Sequence, residues 1–279
     1  MHKLVRKILL LQVLLVIPAV AAAADSLPSL ETGYRLMYGR QFEAARQEVT
    51  RWQQRNLDDP RGPVSQAASL IFAEFDRIGI LEAQFYTKNS TFVSRVRPKP
   101  DPELRKSFYE QLDRSEAMAK ERLAKDPLNH DALFAMALVY GLRGDYASMI
   151  EDENLTALRL TRQAADYAKK LLAVAPDYYD AYLATGISSY IIGNLFTPVR
   201  WMLRFAGYSG NAEEGLRHLK ITAERGCLLA PFARLLLAIA SLRANKPAQA
   251  RELLKGLSEE FPTNPLFARE MAHLDSRGK

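Results

Sequence analysis

A single cysteine, Cys227, stands in 279 residues. An internal disulfide, an all-cysteine zinc site and a CxxC redox pair are therefore excluded. Glycine and proline are scarce at 14 each, too few for the many tight turns of an all-β barrel or sandwich. Neither sign of charge dominates: 38 bases oppose 32 acids, which gives no reason to expect a nucleic acid or an anionic membrane surface as partner. Beyond the first 24 residues no apolar run reaches the ~18 that suggest a membrane span. The nearest, Cys227 to Leu242, contains Arg234. What is present is an ordinary globular composition, 48% hydrophobic and 25% charged, ample for a sizeable core.

The amino terminus differs from the rest. Lys3, Arg6 and Lys7 precede an apolar run from Ile8 to Ala24, and four alanines lead up to Asp25. A basic start, an apolar middle and small residues at the exit describe a cleaved secretory signal over residues 1–24, with an uncleaved anchor as the other reading. With no cysteine near the cut, a lipid-anchored lipoprotein is excluded. Cleavage removes three bases and no acid, so the formal charge falls from +6 to +3. The expected product, residues 25–279, is exported to the periplasm or cell envelope of a bacterial source, with no membrane span after cleavage.

Small residues recur at a fixed spacing. Gly33 and Ala45 stand twelve apart, as do Ala238 and Ala250. Leu254 and Pro262 follow Ala250, and Asn245-Lys246-Pro247 supplies the turn. Ser115, Ala119 and Pro127 mark another return helix. Met136-Ala137 and Tyr140, then Gly144-Asp145-Tyr146, read as a first helix and its turn, with Ala164, Ala168 and Pro176 on the return. That hairpin then carries fifteen extra residues around Ser148 to Arg162. Gly186 and Gly215, 29 apart rather than twelve, are the small pair of a hairpin with seventeen extra residues around Leu195 to Gly210, in which Thr197 to Phe205 is expected to form a Pro-led amphipathic helix. Residues 263–276 form a closing helix, with Glu270, His273, Asp275 and Arg277 available for a polar outer face. Pro63 starts a helix through Ala67, Leu70, Ile71, Phe75, Ile78 and Leu81. The stretch 61–110 gives the weakest repeat match, and about 94–102, rich in proline, is a linker or exposed loop.

This ruler resembles the tetratricopeptide repeat, a helical hairpin of about 34 residues. The resemblance covers about 29–60 and 110–262. Over about 177–226 the insertion is similar to the long tetratricopeptide family of mitochondrial outer-membrane and inclusion-body-clearance proteins. The implied fold is all-α: a solenoid of antiparallel helical hairpins with insertions and a carboxy-terminal capping helix.

Catalytic motifs are missing. His2, His130, His218 and His273 have no partner at metal spacing, and no HExxH, GxSxG, P-loop or GxGxxG occurs. His130 reads as exposed or capping, His218 as a packing histidine, and Cys227 as a small buried hydrophobe. Glu151-Asp152-Glu153 reads as a solvated acidic face. Asn89 and Asn154 begin glycosylation sequons that matter only in a eukaryotic source. No catalytic residue, metal or cofactor is expected.

Aromatic residues concentrate near the second insertion. Tyr178 and Tyr182, four apart, are expected on one helix face, as are Trp201 and Phe205, flanked by Arg200 and Arg204. These types suit a partner-binding patch on the concave face. Core packing fits Tyr182, Trp201 and Phe205 equally well, and better describes Tyr179 and Tyr190. The leading expectation is a non-enzymatic exported scaffold for a protein or peptide partner. The alternative is a small-ligand-binding accessory component of a transport system, favoured by an enclosed cavity over an open groove. If the signal is cleaved as expected, amino-terminal sequencing of the exported protein finds Asp25. Met1 in a membrane fraction identifies an anchor instead.

Overall fold

The computed structural model describes residues 27–80, 99–195 and 209–277, and every regular element among them is helical. The order is α1 (Leu30–Tyr38), α2 (Phe42–Arg55), α3 (Arg61–Arg77), α4 (Pro102–Lys125), α5 (His130–Met149), α6 (Asn154–Val174), α7 (Tyr182–Gly193), α8 (Ala212–Arg225), α9 (Ala230–Arg243), α10 (Pro247–Glu260) and α11 (Pro265–Arg277). A 3-10 turn, Tyr179–Ala181, leads into α7. Residues 1–24 and the inserted segment 197–205 lie outside the described residues. Among the described residues no helix is long and apolar enough to cross a membrane.

Local chemistry accounts for the helix starts. Ser29, Asp101, Asn129 and Asn211 each turn a side-chain oxygen onto the free N–H groups of the first turn. Pro102, Pro231 and Pro247 occupy first-turn positions where no N–H is needed. The α1–α2 and α9–α10 corners pass through Arg40 and Asn245, both at positive φ, Asn245 being of a type that tolerates that region.

Among the described residues each helix packs on the next, giving five consecutive antiparallel hairpins, α1/α2 to α9/α10, with α11 capping the last. This is the solenoid-like all-α architecture. The crossings sit at the small residues. A Cβ on Gly33 would stand 2.7 Å from Val49 Cγ2, and one on Gly215 would stand 2.5 Å from the Tyr190 nitrogen and 2.8 Å from the Gly186 carbonyl oxygen. Ala45, Ala238 and Ala250 are fully buried.

Four features differ from the spacing argument. Gly144-Asp145-Tyr146 is not a turn: α5 runs through it to Met149, and the corner is 150–153. The extra residues thus lengthen α5 and α6 rather than forming an inserted loop. Gly144 is buried within the helix where α5 meets α6; a Cβ there would lie 3.5 Å from the Ala157 carbonyl oxygen, an ordinary contact. The weak stretch 61–110 holds α3 and the first turns of α4, which pair as a hairpin whose long connection hides the spacing; Ser115 on α4 donates to the Pro60 carbonyl at 2.7 Å. On α11 the Glu270 side chain is buried rather than on an outer face, while Asp275 pairs with Arg251 at 2.8 Å. Glu151-Asp152-Glu153 lies in the α5–α6 corner rather than on a helix face, with Glu151 paired to Arg105 at 2.8 Å.

The chain also closes on itself. Tyr38 at the end of α1 donates its hydroxyl to the Leu228 carbonyl at 2.9 Å and packs its ring 5.6 Å from Phe261. Asn264 donates to the Tyr38 carbonyl at 2.8 Å, and Thr263 to the Gly39 carbonyl at 3.0 Å. Glu260 takes Arg35 of α1 and Arg234 of α9 at 2.7 and 2.6 Å. First and last hairpins therefore touch, and α1, α3, α5, α7 and α9 form an inner layer around one axis.

Two glycines separate crossing from propensity. Gly215→Ala forces α7 from α8 and is expected to cost at least about 2 kcal/mol. Gly256 on α10 has open space at its missing Cβ, so Gly256→Ala is expected to add about 0.5–1 kcal/mol. Urea unfolding of the two variants checks both signs.

Candidate functional site

The inner helices do not fill the axis. Tyr34 and Tyr38 of α1, Ala68 and Phe72 of α3, Phe134, Leu138, Gly141 and Leu142 of α5, Ala184 and Ile187 of α7, and Phe232 of α9 line a cavity of about 80 Å³. A second cavity of about 160 Å³ lies towards the carboxy-terminal ends of the same helices, walled by Phe75, Met149, Tyr190, Leu219, Leu236 and Ile239, with Arg243 at its rim. Phe72, Ile187, Phe232 and Asp145 line both. The aromatic wall is ordered edge to face: Phe72 meets Phe232 at 5.6 Å and Phe75 at 6.2 Å.

Asp145 is the anomaly. On α5 the residues Leu138, Gly141, Leu142, Asp145 and Met149 follow a 3, 4 spacing and share the inward face. Asp145 is half-buried on the wall of both cavities, and no hydrogen bond or ion pair to it exists among the described residues. Burial alone pushes its pKa from 3.8 up to about 7, with no neighbouring charge opposing. The other polar groups on the walls are already engaged or neutral. The Asp180 carboxylate accepts the Leu229 N–H at 2.9 Å and those of Cys227 and Leu228 at 3.1 Å. Burial pushes the Tyr34 phenol up to about 12 and holds that of Tyr38 well above its ordinary range.

The residues expected to form a partner site are divided. Arg200, Trp201, Arg204 and Phe205 lie outside the described residues. Tyr178 precedes the 3-10 turn, so helical spacing does not relate it to Tyr182, the first residue of α7. The Tyr178 ring packs 4.9 Å from Phe134 beside the Arg61 guanidinium, and burial raises its pKa. Its outer edge borders a surface basin of about 430 Å³ with Trp52, Arg61, Tyr179 and Arg225. Tyr182 turns instead to α8: its ring meets His218 edge to face at 5.2 Å, and its hydroxyl donates to the Pro176 carbonyl. The structure does not bring these two tyrosines together. His218 is a packing residue, 2.9 Å from the Thr185 hydroxyl and lowered in pKa by burial. Cys227 is exposed rather than buried, because its backbone serves the α9 start while its thiol points to Glu31. No group of three or more His, Cys, Asp or Glu able to hold a metal occurs among the described residues.

Compared with protein-family models and with curated proteins, the chain matches none.

The protonation of Asp145 has a signature in stability. Unfolded, the carboxyl ionises near its ordinary value; folded, it keeps its proton to about pH 7. Between those values the folded chain binds the extra proton, so this group's contribution to stability falls as pH rises and its full cost is felt above pH 7. Asp145→Asn is expected to match the parent near pH 4 and to exceed it at pH 8, by at most about 4 kcal/mol. Paired denaturant titrations at the two pH values check this.

Proposed function

We propose that the chain is a non-enzymatic, exported helical binding protein whose ligand is a small apolar molecule held in the axial cavity, as in an accessory component of a transport system. The observation that carries this reading is the closure of the first hairpin onto the last, which puts an apolar cavity where an open solenoid has a groove. The likeness of the hairpin spacing to tetratricopeptide repeats supports a binding role, and the amino-terminal pattern supports export. A second reading, a scaffold for a protein or peptide in the cell envelope, is favoured by a different feature. Between α8 and α10, over α9, runs a groove of about 680 Å³ with Leu216, Ala223, Leu237 and Leu253 on its floor. Glu213, Lys220, Glu224 and Glu252 form its charged rim.

Gly141 gives a clean test. It lines the cavity, and a Cβ there would meet nothing within 4 Å. Gly141→Leu therefore fills the cavity without displacing a helix. Toluene, which suits an apolar cavity of benzene size, is expected to raise the melting temperature of the parent protein and to leave that of Gly141→Leu unchanged. An unchanged parent refutes the cavity reading and leaves the α8–α10 groove as the binding surface.

A further inference from the structure

Among the described residues, one carboxyl on the cavity wall has no protein partner. Half-buried Asp145 stands where the two chambers meet, without a hydrogen-bond or ion-pair partner among those residues. A carboxylate facing an apolar wall without a partner adds nothing to the packing there. A leucine or methionine would pack the same inward face of α5. The larger chamber beside it, about 160 Å³ and walled by Phe72, Phe75, Phe232, Leu236 and Ile239, has the volume of a site for one aromatic ring.

We propose that Asp145 anchors the ligand, and that the ligand is a small primary amine bearing a single aromatic ring. This rests on the cavity reading above and names its substrate class. The ring occupies the larger chamber against the edge-to-face phenylalanines. A short arm brings the ammonium group to the Asp145 carboxylate, where a charge-assisted hydrogen bond forms in a medium that excludes water.

The charges facing the cavity fit this assignment. Asp180 on the turn before α7 already accepts three backbone N–H groups. Tyr38 of α1 donates to Leu228. Burial keeps the Tyr34 phenol of α1 neutral, and of the two bases on α9 Arg234 is paired with Glu260 while Arg243 lies exposed at the far rim. Among the described residues, an ammonium entering the cavity thus finds one uncommitted anion, at the junction, and no cation beside it. A carboxylate ligand would find only Arg243, and would leave Asp145 as it is.

The experiment compares three probes that share a phenyl ring on a short alkyl arm, on the full chain by isothermal titration calorimetry at pH 8: 2-phenylethylamine, ethylbenzene and 3-phenylpropionate. The amine is expected to bind at least tenfold more tightly than ethylbenzene. Asp145→Asn, expected to fold at least as stably as the parent, should abolish that preference while leaving the ethylbenzene affinity unchanged. If the amine binds no better than ethylbenzene, or binds Asp145→Asn equally well, the assignment of Asp145 is wrong while the apolar cavity stands. If 3-phenylpropionate binds most tightly, Arg243 is the anchor and the amine class is wrong. If ethylbenzene also fails to bind the parent, the cavity reading itself falls, and this inference with it.

Discussion

The Asp180 carboxylate organises the start of α9. Three successive backbone N–H groups, those of Cys227, Leu228 and Leu229, converge on its two oxygens. Gly226 makes the approach possible, since a Cβ there would sit 2.6 Å from Asp180 Oδ1. Thr222 adds a bond to the Tyr179 carbonyl at 3.0 Å, so the end of α8 is tied to the same turn. The carbonyl of Leu228, held in place by this cluster, is the one that receives the Tyr38 hydroxyl. Ring closure thus depends on where one buried carboxylate holds one loop. Desolvation raises the pKa of Asp180, and the three N–H groups oppose that rise.

The contrast between the two acids is informative. Asp180 spends its oxygens on the backbone and serves the architecture. Asp145, half-buried on the cavity wall, has no such partners among the described residues. Stability alone disfavours that choice, and positions that break the local rules of a fold are where binding sites are sought.

Much of the architecture was legible because close helix crossings require small residues at set distances. Gly33 with Ala45, Gly186 with Gly215, and Ala238 with Ala250 each located a hairpin from spacing alone. The α3/α4 hairpin escaped because its connection, 78–101, is too long for any fixed ruler, although Ser115 and Ala119 had marked its return helix. The longest hairpin hides its corner because Gly144 lies inside α5; a glycine in a helix and a glycine at a turn look alike in one dimension. Asp145 was hidden by the same likeness. Read as helical, it joins Leu138, Leu142 and Met149 on one face, and an acid on an apolar face is a visible signal. Ring closure had no local signature, since Tyr38, Leu228 and Asn264 are related only by the curvature of the whole stack. For the aromatic candidates, the spacing that joined Tyr178 to Tyr182 assumed a helix that begins only at the second of them.

A solenoid open at both ends derives its stability from neighbouring pairs, so its ends fray and its units can melt one after another. Here Tyr38 bonds to partners 190 and 226 positions along the chain. The first hairpin is thereby an interior part of the cooperative unit rather than its loose end. Such contacts close a very large loop, and they raise the mean sequence separation of a fold otherwise made of local pairings, a property associated with slower folding. During synthesis, the short helix α1 has to wait for Thr263 and Asn264 before its seat exists. Until then its apolar face, Tyr34 and Met37 included, has no cover from the far end of the chain.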